Sequence, residues 1–402
     1  MIELSPKFQP LFLSNDRYYL IQGGRGSGKS FSLCTWLVLI LLFEKGHTVL
    51  FTRYTLTSAH ISIIPEFLDK IDILGIKDKF YITKDSIVCK QTGSSIIFKG
   101  IRTSTGDASA SLKSLQGITT FILEEAEELT DETIFDKIDY SVRTKGIQNR
   151  VILVMNPTTK ASWIYKRYYE NNGVVPGDNV SKNGITYIST TYLDNLENLD
   201  QSFIDSVERL KIEDPVKYKH IMLGGWMDTA EGVIFTNWEL GEFNNDLEYG
   251  YGCDWGFSND PSTLTKVAID KKNKIIYLDE KLYTTGLTTT ELFNIMKPEC
   301  VNKEIIADNS EPRLIDELYS MGLNIEACVK GAGSIAEGIT LMQDYKLIIT
   351  PGSTNIVREL NNYIWSNRKA GVPVDMYNHA IDGIRYYISH ILKAGNGEYF
   401  FT

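Results

Sequence analysis

Cysteine is scarce in this chain of 402 residues, and its five cysteines are scattered. Their number is odd and no two form a C-x-x-C pair; they are Cys34, Cys89, Cys253, Cys300 and Cys328. A disulfide framework and a structural zinc site both need thiols at paired spacings, so the sequence argues against both. We expect reduced thiols, as in a protein that works in a cytosol.

Long apolar runs are also missing. The longest, Leu33 to Phe43, is too short and too interrupted to span a bilayer. The first residues, Met1 to Pro6, show no basic region leading into an apolar segment, as a secretory signal would. We therefore expect neither a transmembrane segment nor secretion, and a protein of the cytoplasm.

Acidic residues outnumber basic ones, so the formal net charge is −10 at pH 7. This balance argues against a protein that binds nucleic acid tightly and permanently. It is compatible with weak phosphate contacts that are broken repeatedly, as in a machine that moves along its substrate. A chain of this length is also too long for one compact core, so we expect two or three domains.

A phosphate-binding loop is the strongest motif in the chain. Residues 23–30 match the pattern G-x-x-x-x-G-K-S/T; they are Gly23, Gly24, Arg25, Gly26, Ser27, Gly28, Lys29 and Ser30. A short apolar run, Tyr18 to Ile21, precedes the loop, and a helix-like run, Phe31 to Phe43, follows it. This context favours a P-loop over a glycine-rich turn without a ligand. We predict that Lys29 reaches the β- and γ-phosphates of ATP and that the Ser30 hydroxyl ligates Mg²⁺.

Two acids and an amide follow later apolar runs. The run Thr119 to Leu123 ends in Glu124 and Glu125, of which the first is expected in the Mg²⁺ shell and the second as the residue that orients the attacking water. The alternative is a solvated helix start, where acids are also common. Asn156 follows the run Val151 to Met155 and is expected to sense the γ-phosphate, unless it simply begins an Asn-Pro turn.

Other contacts to the nucleotide are less determined. Arg25, Arg53 and Arg143 are candidates for the arginine that stabilises transition-state charge, and each could equally be a surface arginine. Gln9, ahead of the first strand, could contact the adenine edge.

The order of elements changes after the glycine-rich tract Leu223 to Asn237. Three strand-like runs come first, and alternating helices and strands follow, which is the order of an RNase H-like domain. We predict an α/β protein: a P-loop NTPase domain with a parallel-sheet α/β core at 1–228, a linker at 229–246, and an RNase H-like mixed-sheet nuclease domain at 247–402. The three predicted strands are Tyr249–Asp254, Leu264–Ile269 and Ile275–Leu282.

Three aspartates stand at matching places of that second topology. Asp254 ends the first strand, Asp308 follows the fourth, and Asp382 lies in the last helix. In this order they converge on one sheet edge and could hold two Mg²⁺ or Mn²⁺ ions, although a single such aspartate is more often a turn former. His379 shares a helix face with Asp382, so it could join the metal shell or handle a proton, or be a partly exposed helix residue. Lys330 could contact DNA phosphate or be a loop charge.

Together these motifs resemble the large terminase subunit of tailed bacteriophages. The resemblance covers nearly the whole chain; its stretches are Gly23–Ser30, Leu123–Ala126, Met155–Pro157, Thr190–Asn195, Asp254–Asp260, Ala307–Leu318, Lys330–Ile335 and His379–Tyr386. It implies an ATP-driven motor that packages double-stranded DNA through a portal, and a nuclease that cuts the concatemer. It also implies a small terminase subunit as a partner and assembly as a ring, typically a pentamer, in the infected bacterial host.

The resemblance assigns roles to residues already noted. Lys29, Ser30, Glu124 and Glu125 would run the ATPase, with Asn156 coupling hydrolysis to motion. The nuclease would use three aspartates with a histidine in support; they are Asp254, Asp308, Asp382 and His379. Glu124 departs from the more general aspartate at its position, and its extra methylene changes the reach of the carboxylate.

Two other readings remain open on the sequence alone, and a third is disfavoured. A P-loop helicase or repair motor with an appended nuclease would need an aromatic platform for single strands, and no clear set is visible. The C-terminal half could instead be a non-catalytic scaffold that docks the portal. A transposase-type enzyme shares the acid triad, but the P-loop domain in front of it argues against that class.

Overall fold

The computed structural model describes residues 3–53, 63–101, 117–256, 260–331, 333–366 and 371–394. The chain divides into two compact units, Met1–Asp228 and Thr229–Thr402. The described helices include none that is long and apolar enough to cross a membrane.

The first unit is built on one sheet, to which its described residues contribute nine strands. In chain order they are β1 (Tyr18–Gly23), β2 (Thr48–Arg53), β3 (Phe80–Ile82), β4 (Ser86–Cys89), β5 (Ser95–Gly100), β6 (Thr120–Glu124), β7 (Arg150–Met155), β8 (Val180–Lys182) and β9 (Ile185–Thr190). Their order in the sheet is β3-β4-β5-β2-β6-β7-β1-β9-β8. The six strands from β5 to β9 in that order run parallel, so their carboxyl ends meet at one edge.

Helices pack on both faces of this sheet. They are α1 (Gln9–Leu13), α2 (Lys29–Phe43), α3 (Ile63–Ile73), α4 (Glu132–Asp139), α5 (Gln201–Glu213) and α6 (Pro215–Lys217). Shorter 3₁₀ turns lie at Pro6–Phe8, Lys77–Lys79, Ala126–Glu128 and Tyr192–Asn198, and π-helical turns at Tyr165–Glu170 and Tyr218–Met222. Because both faces are covered, β6, β7 and β9 are buried along their whole length, which explains their nearly unbroken apolar or β-branched sequences.

The second unit has a mixed sheet with the order β10-β16-β13-β12-β11-β14-β15 among its described residues. These strands are β10 (Trp238–Leu240), β11 (Tyr249–Asp254), β12 (Ser262–Asp270), β13 (Ile275–Thr284), β14 (Ile305–Ala307), β15 (Ile325–Ala327) and β16 (Lys346–Ile349). Strands β11 to β13 form an antiparallel meander, and β14 and β15 continue the sheet in parallel beside β11. This is the predicted RNase H-like order, with β16 and β10 added beyond β13.

The helices of the second unit are α7 (Thr289–Glu299), α8 (Pro312–Ser320), α9 (Ser334–Gln343), α10 (Thr354–Leu360) and α11 (His379–Ala394). Helices α7 and α8 pack on one face of the sheet, whereas α9, α10 and α11 pack on the other. The backbone of α11 comes so close to β11 that a side chain at Gly252 would collide with the backbone of Gly383. Glycine at 252 therefore lets the helix approach the strand directly.

The fold class predicted from the sequence is confirmed in both units, but the expected linker at 229–246 is not a free connection. The backbone N–H groups of Ala230 and Ile234 donate to Asn361 and Tyr363 at 2.7 and 2.8 Å. Strand β10 then pairs with β16. These hydrogen bonds build the segment into the second unit, which corrects the expected linker.

All five cysteines are buried and unpaired. Cys34 and Cys253 have no exposed surface at all, and burial raises the pKa of both thiols well above the ordinary value. The expectation of reduced thiols agrees with this placement, since none of the five forms a disulfide in the structure.

Candidate functional site

The P-loop joins β1 to α2 at the edge where the parallel strands of the first sheet end. Gly26 and Gly28 take φ values of 74° and 76°, which only glycine adopts without strain, and Gly28 caps the start of α2. The loop forms one wall of a cavity of about 650 Å³. Strand ends supply other walls, so the cavity lies where parallel α/β sheets bind ligands.

Lys29 is held inside this cavity by oxygen acceptors. Its ammonium donates to the carbonyls of Gly23 and Gly24 at 2.8 and 2.9 Å, and to Asn156 Oδ1 at 3.0 Å. Burial lowers the pKa of Lys29 to about 8, although Glu127 and Glu124 oppose that shift. Because this ammonium lies beside the phosphate-binding loop, it can bind the terminal phosphates of a nucleotide that enters the cavity.

Ser30 and Glu124 meet across the cavity floor. The Ser30 hydroxyl donates to Glu124 Oε1 at 2.8 Å, and Arg53 Nε lies 3.1 Å from Glu124 Oε2. Burial raises the pKa of Glu124 to about 7, although the positive charge of Arg53 opposes the shift. A hydroxyl and a carboxylate side by side are ligands that Mg²⁺ takes, so this pair fits the metal of a nucleotide complex.

Glu125 follows the end of β6 in a left-handed conformation, with φ of 52°. Its carboxylate lines the cavity and contacts the Arg53 guanidinium, which therefore joins both glutamates. A non-glycine residue in this region is uncommon and costs energy, which the surrounding structure must supply. The backbone turn brings Glu125 to the cavity, and its role toward the attacking water stays a prediction.

Asn156 connects the P-loop lysine to a carboxylate that the sequence did not single out. Its amide nitrogen donates to Glu127 Oε1 at 3.1 Å while its oxygen accepts from Lys29. Burial raises the pKa of Glu127 to about 6, and Glu127 Oε2 is buried with no hydrogen-bond partner among the described residues. The only signal was its place in the acidic run from Glu124 to Asp131.

Asn195 ends one of the stretches that carry the resemblance, Thr190–Asn195, but the sequence did not indicate its role. It lies beyond the end of β9, donates from Nδ2 to the carbonyl of Gly26 at 2.9 Å, and lines the cavity. The available signal was its position after a strand that neighbours β1, because polar residues after parallel strands gather at one edge.

Of the other residues predicted to contact the nucleotide, some line the cavity and others do not. Arg25 and Arg53 line the cavity, and the backbone N–H of Arg25 donates to Ile221 at 2.8 Å. Arg143 is exposed, and neither Arg143 nor Gln9 is among the described residues that line this cavity. Gln9 is exposed at the start of α1.

The three predicted aspartates of the second unit come together from three elements. Asp254 is the last residue of β11, Asp308 directly follows the neighbouring strand β14, and Asp382 lies in the first turn of α11. The backbone N–H of Asp308 donates to Cys253 at 3.0 Å, which fixes the two strand ends side by side. Asp254 and Asp308 are each 8% exposed, so the group lies in a partly closed site.

Each aspartate has a basic partner from the chain. His379 Nδ1 lies 3.4 Å from Asp254 Oδ2, and Arg385 contacts Asp382 Oδ1 at 2.9 Å. The Lys330 ammonium contacts Asp308. Two of the three carboxylates therefore have a permanent positive charge beside them, and the third has an imidazole.

The titration behaviour of this group follows from burial and like charge. Burial and, to a smaller extent, the charges of Asp382 and Asp308 raise the pKa of Asp254 to about 6, although His379 opposes the shift. Burial also raises the pKa of Asp382. Burial lowers the pKa of His379, but the hydrogen bond to Asp254 and the charges of nearby acids outweigh it, and the net shift is upward.

The donor chemistry of this site fits a hard divalent cation. Carboxylate oxygens with an imidazole nearby suit Mg²⁺ and Mn²⁺, whereas a zinc site would need several histidines or thiolates. Across the part of the chain that the structure describes, no three His, Cys, Asp or Glu side chains are grouped closely enough to hold a metal ion as they stand. Ligation by Asp254, Asp308 and Asp382 therefore stays a prediction.

Helix α11, which carries His379 and Asp382, is fixed at its start by a buried acid. Glu359, at 0% exposure, accepts from the backbone N–H of Ile381 and from the Tyr283 hydroxyl, both at 2.9 Å. Burial raises the pKa of Glu359 to about 7, although these hydrogen bonds oppose the shift. No pattern in the sequence indicated this residue, because its burial follows from how α10 packs against α11.

Comparison with known proteins divides the chain into two parts that correspond to the two units. A family model described as phage terminase large subunit matches residues 15–225, and one described as terminase RNAseH like domain matches residues 254–390. The large terminase subunit of Bacillus phage SPP1 is 30% identical, and the match covers 98% of each chain.

The fold is also similar to that of a solved large terminase. The large terminase of bacteriophage HK97 is 11% identical, with a TM-score of 0.52 over 96% of this chain and 94% of that one. The nuclease domain of the SPP1 large terminase, solved with bound Mn, is 31% identical and covers 40% of this chain and 99% of its own, with a TM-score of 0.36.

Proposed function

The chain belongs to the phage terminase large subunit family, and we propose that it hydrolyses ATP to drive double-stranded DNA into an empty capsid and cuts that DNA with its second unit. Its family is the one that the sequence motifs indicated, with an ATPase domain followed by an RNase H-like domain. The observation that supports the proposal most directly is the presence of two separate acidic sites, one in each unit, at the carboxyl ends of parallel strands.

The first site supports ATP hydrolysis by positioning and charge. Lys29 would bind the β- and γ-phosphates, and Ser30 with Glu124 would hold Mg²⁺. Glu125, which lines the cavity and contacts Arg53, would orient the attacking water. Asn156 contacts both Lys29 and Glu127, so a change at the γ-phosphate would alter two contacts of the loop after β7.

The second site supports cleavage of a phosphodiester. Asp254, Asp308 and Asp382 would hold Mg²⁺ or Mn²⁺, which supplies an activated water and stabilises the leaving oxygen. His379, beside Asp254, is placed to hold or move a proton. The hydrogen bond from the Asp308 N–H to the Cys253 carbonyl sets the two strand ends that carry Asp254 and Asp308 side by side before DNA binds.

The same proposal extends to partners and place of action. We infer a small terminase subunit that selects the DNA, a portal through which the DNA passes, and a ring of this chain on the portal, with five copies. Many weak contacts around the ring, each reset by hydrolysis, fit a chain with a net charge of −10 better than one tight basic cleft would. The site of action is the cytoplasm of the infected bacterial host.

Two crossed variants of the full chain test the proposal. Lys29→Ala should abolish DNA-stimulated ATP hydrolysis while metal-dependent nicking of supercoiled plasmid continues. Asp308→Ala should do the reverse, because it removes a carboxylate of the second unit only. A matched control is Asp205→Ala, an exposed acid on α5 that should leave both activities intact.

Each result bears on one part of the proposal. Nicking that disappears in Lys29→Ala would contradict the assignment of the two activities to separate units. Nicking that persists in Asp308→Ala would remove Asp308 from the cleavage site. No nicking by the unaltered chain with Mg²⁺ or Mn²⁺ would indicate a second unit that serves as a scaffold.

A further inference from the structure

A cavity of about 400 Å³ opens next to the aspartates of the second unit, and neither the ATPase nor the cleavage site uses it. Its lining includes Lys330 and Val329 from the loop after β15, and three residues of one face of α11, namely Tyr386, Ser389 and His390. Lys330 stands at the boundary between the two sites, because its ammonium contacts Asp308 and also lies 4.9 Å from the centre of the Tyr386 ring.

Arg385 and Lys330 are the two strong cations that line the cavity, and their side chains differ in how firmly they are held. The Arg385 side chain is 4% exposed, donates from Nε and Nη2 to Asp382 at 3.2 and 2.9 Å, and packs against Gly338. Lys330 is 36% exposed and is carried by a loop rather than a helix. Arg385 is thus fixed as a partner of Asp382, whereas the Lys330 ammonium can reach a ligand at the cavity mouth.

We propose that Lys330 binds the backbone phosphate of the DNA strand at the cleavage site, and that the adjoining nucleotide lies at the mouth of this cavity. This inference rests on the proposed nuclease function and names the part of the second unit that receives DNA. The phosphate meets the ammonium, which the Tyr386 ring holds in place from the buried side. Because Lys330 contacts Asp308, a phosphate bound there lies beside the carboxylates.

The negative charge around the cleavage site explains why a cation is needed to bind DNA there. Three clustered carboxylates repel a phosphodiester, and the net charge of the chain adds to that repulsion. Each of the three aspartates has a basic side chain as its partner, and Lys330 is the most exposed of these, at 36% against 24% for His379 and 4% for Arg385. At the far end of the cavity, His390 lies 3.5 Å from Glu304, which leaves Lys330 as the exposed strong cation among the described lining residues.

The test measures DNA binding apart from cleavage. The full chain is titrated into a short fluorescein-labelled duplex in Ca²⁺, and affinity is followed by anisotropy over a range of salt concentrations. The variants are Lys330→Gln, which removes the charge, and Lys330→Arg, which keeps it. The control is Lys346→Gln, which removes an exposed lysine paired with Glu239 at 2.7 Å on the far side of the sheet.

We expect Lys330→Gln to bind DNA about five-fold more weakly and to lower the slope of log affinity against log salt by about one. Lys330→Arg should restore most of both quantities, and Lys346→Gln should match the unaltered chain. Mn²⁺ affinity, measured by calorimetry without DNA, should not fall in Lys330→Gln, because that variant frees Asp308 from an ion pair.

Two results would overturn the inference. Unchanged affinity and salt slope in Lys330→Gln, with Mn²⁺-dependent nicking retained, would leave the proposed nuclease intact and reduce Lys330 to a partner of Asp308. Absence of nicking by the unaltered chain would instead remove the proposed nuclease, and this inference with it.

Discussion

At the scale of single residues, Arg53 has an unusual position, because one guanidinium contacts two consecutive carboxylates. Its side chain is 9% exposed and that of Glu124 is 6% exposed, so the pair is buried. Removing one partner of a buried ion pair leaves an uncompensated charge, which costs more than an exposed pair contributes. The Arg53 guanidinium therefore offsets the repulsion between the Glu124 and Glu125 carboxylates.

We expect Arg53→Ala to lower the free energy of unfolding of the first unit by about 3 kcal/mol, because Glu124 and Glu125 then repel each other without a cation. Urea unfolding followed by circular dichroism measures this change. Arg209→Ala, at an exposed position on α5, is the control and should change little. The double variant Arg53→Ala/Glu124→Gln should recover part of the loss; equal losses in the single and double variants would show that charge is not the cause.

The residues that could be predicted from the sequence are those with a fixed place in a motif. Lys29 and Ser30 follow from the glycine spacing, and the acids at 124 and 125 follow from the end of an apolar run. Glu127 could not be separated from its acidic neighbours, because the turn at Glu125 decides which carboxylates point inward. Glu359 carried no local signal, since its contacts with Ile381 and Tyr283 are distant in sequence.

At the scale of elements, the position of α11 sets the geometry of the second site. Gly252 allows the helix to approach β11, and Glu359 binds the first backbone N–H groups of the helix. An acid near a helix N-terminus is favourable because those N–H groups have no partner within the helix. These two features fix where Asp382 lies relative to Asp254.

The titration of Glu359 predicts how the stability of the second unit changes with pH. Its pKa is about 7 in the folded chain against an ordinary 4.5, so the folded state holds the proton more tightly than the unfolded state. The resulting stability is fully present below about pH 4.5 and is lost as the pH rises through about 7. Between pH 5.5 and 8 the loss amounts to about 2 kcal/mol.

The comparison is between the unaltered chain and Glu359→Gln, which keeps an oxygen acceptor and cannot ionise. Urea unfolding without divalent ions at pH 5.5 and pH 8 should show a smaller pH-dependent loss in the variant. The control is Glu337→Gln, an exposed position on α9. Parallel losses in the variant and the unaltered chain would show that other groups, such as Asp254, dominate.

Long elements could be predicted well, and several short ones could not. The parallel strands of the first sheet and the meander of the second have enough residues to show burial or alternation. Strands β3, β8 and β10 have three residues each, too few for a period to appear. The segment at 229–246 looked like a linker because glycines interrupt it, yet its backbone pairs with distant residues of the second unit.

At the scale of the whole molecule, the chain consists of two units with separate cores. A ligand that binds only one folded unit should stabilise that unit alone, by about 2.7 kcal/mol at one hundred times its dissociation constant. We expect Mg²⁺ with ADP to raise one transition in differential scanning calorimetry, and Mn²⁺ without nucleotide to raise the other. Lys29→Ala should remove the first shift and Asp254→Asn the second; a shift of both transitions by either ligand would show that the units unfold together.

The burial of all five thiols has a practical consequence for following the motor at work. A maleimide dye reacts with exposed thiols, so the five buried cysteines should take up little dye. They need not be replaced before a new cysteine is labelled. Val175 and Tyr319 are 66% and 63% exposed, one in each unit. Val175→Cys and Tyr319→Cys would therefore accept a donor and an acceptor dye. Energy transfer between them would report the separation of the two units through each cycle of nucleotide turnover.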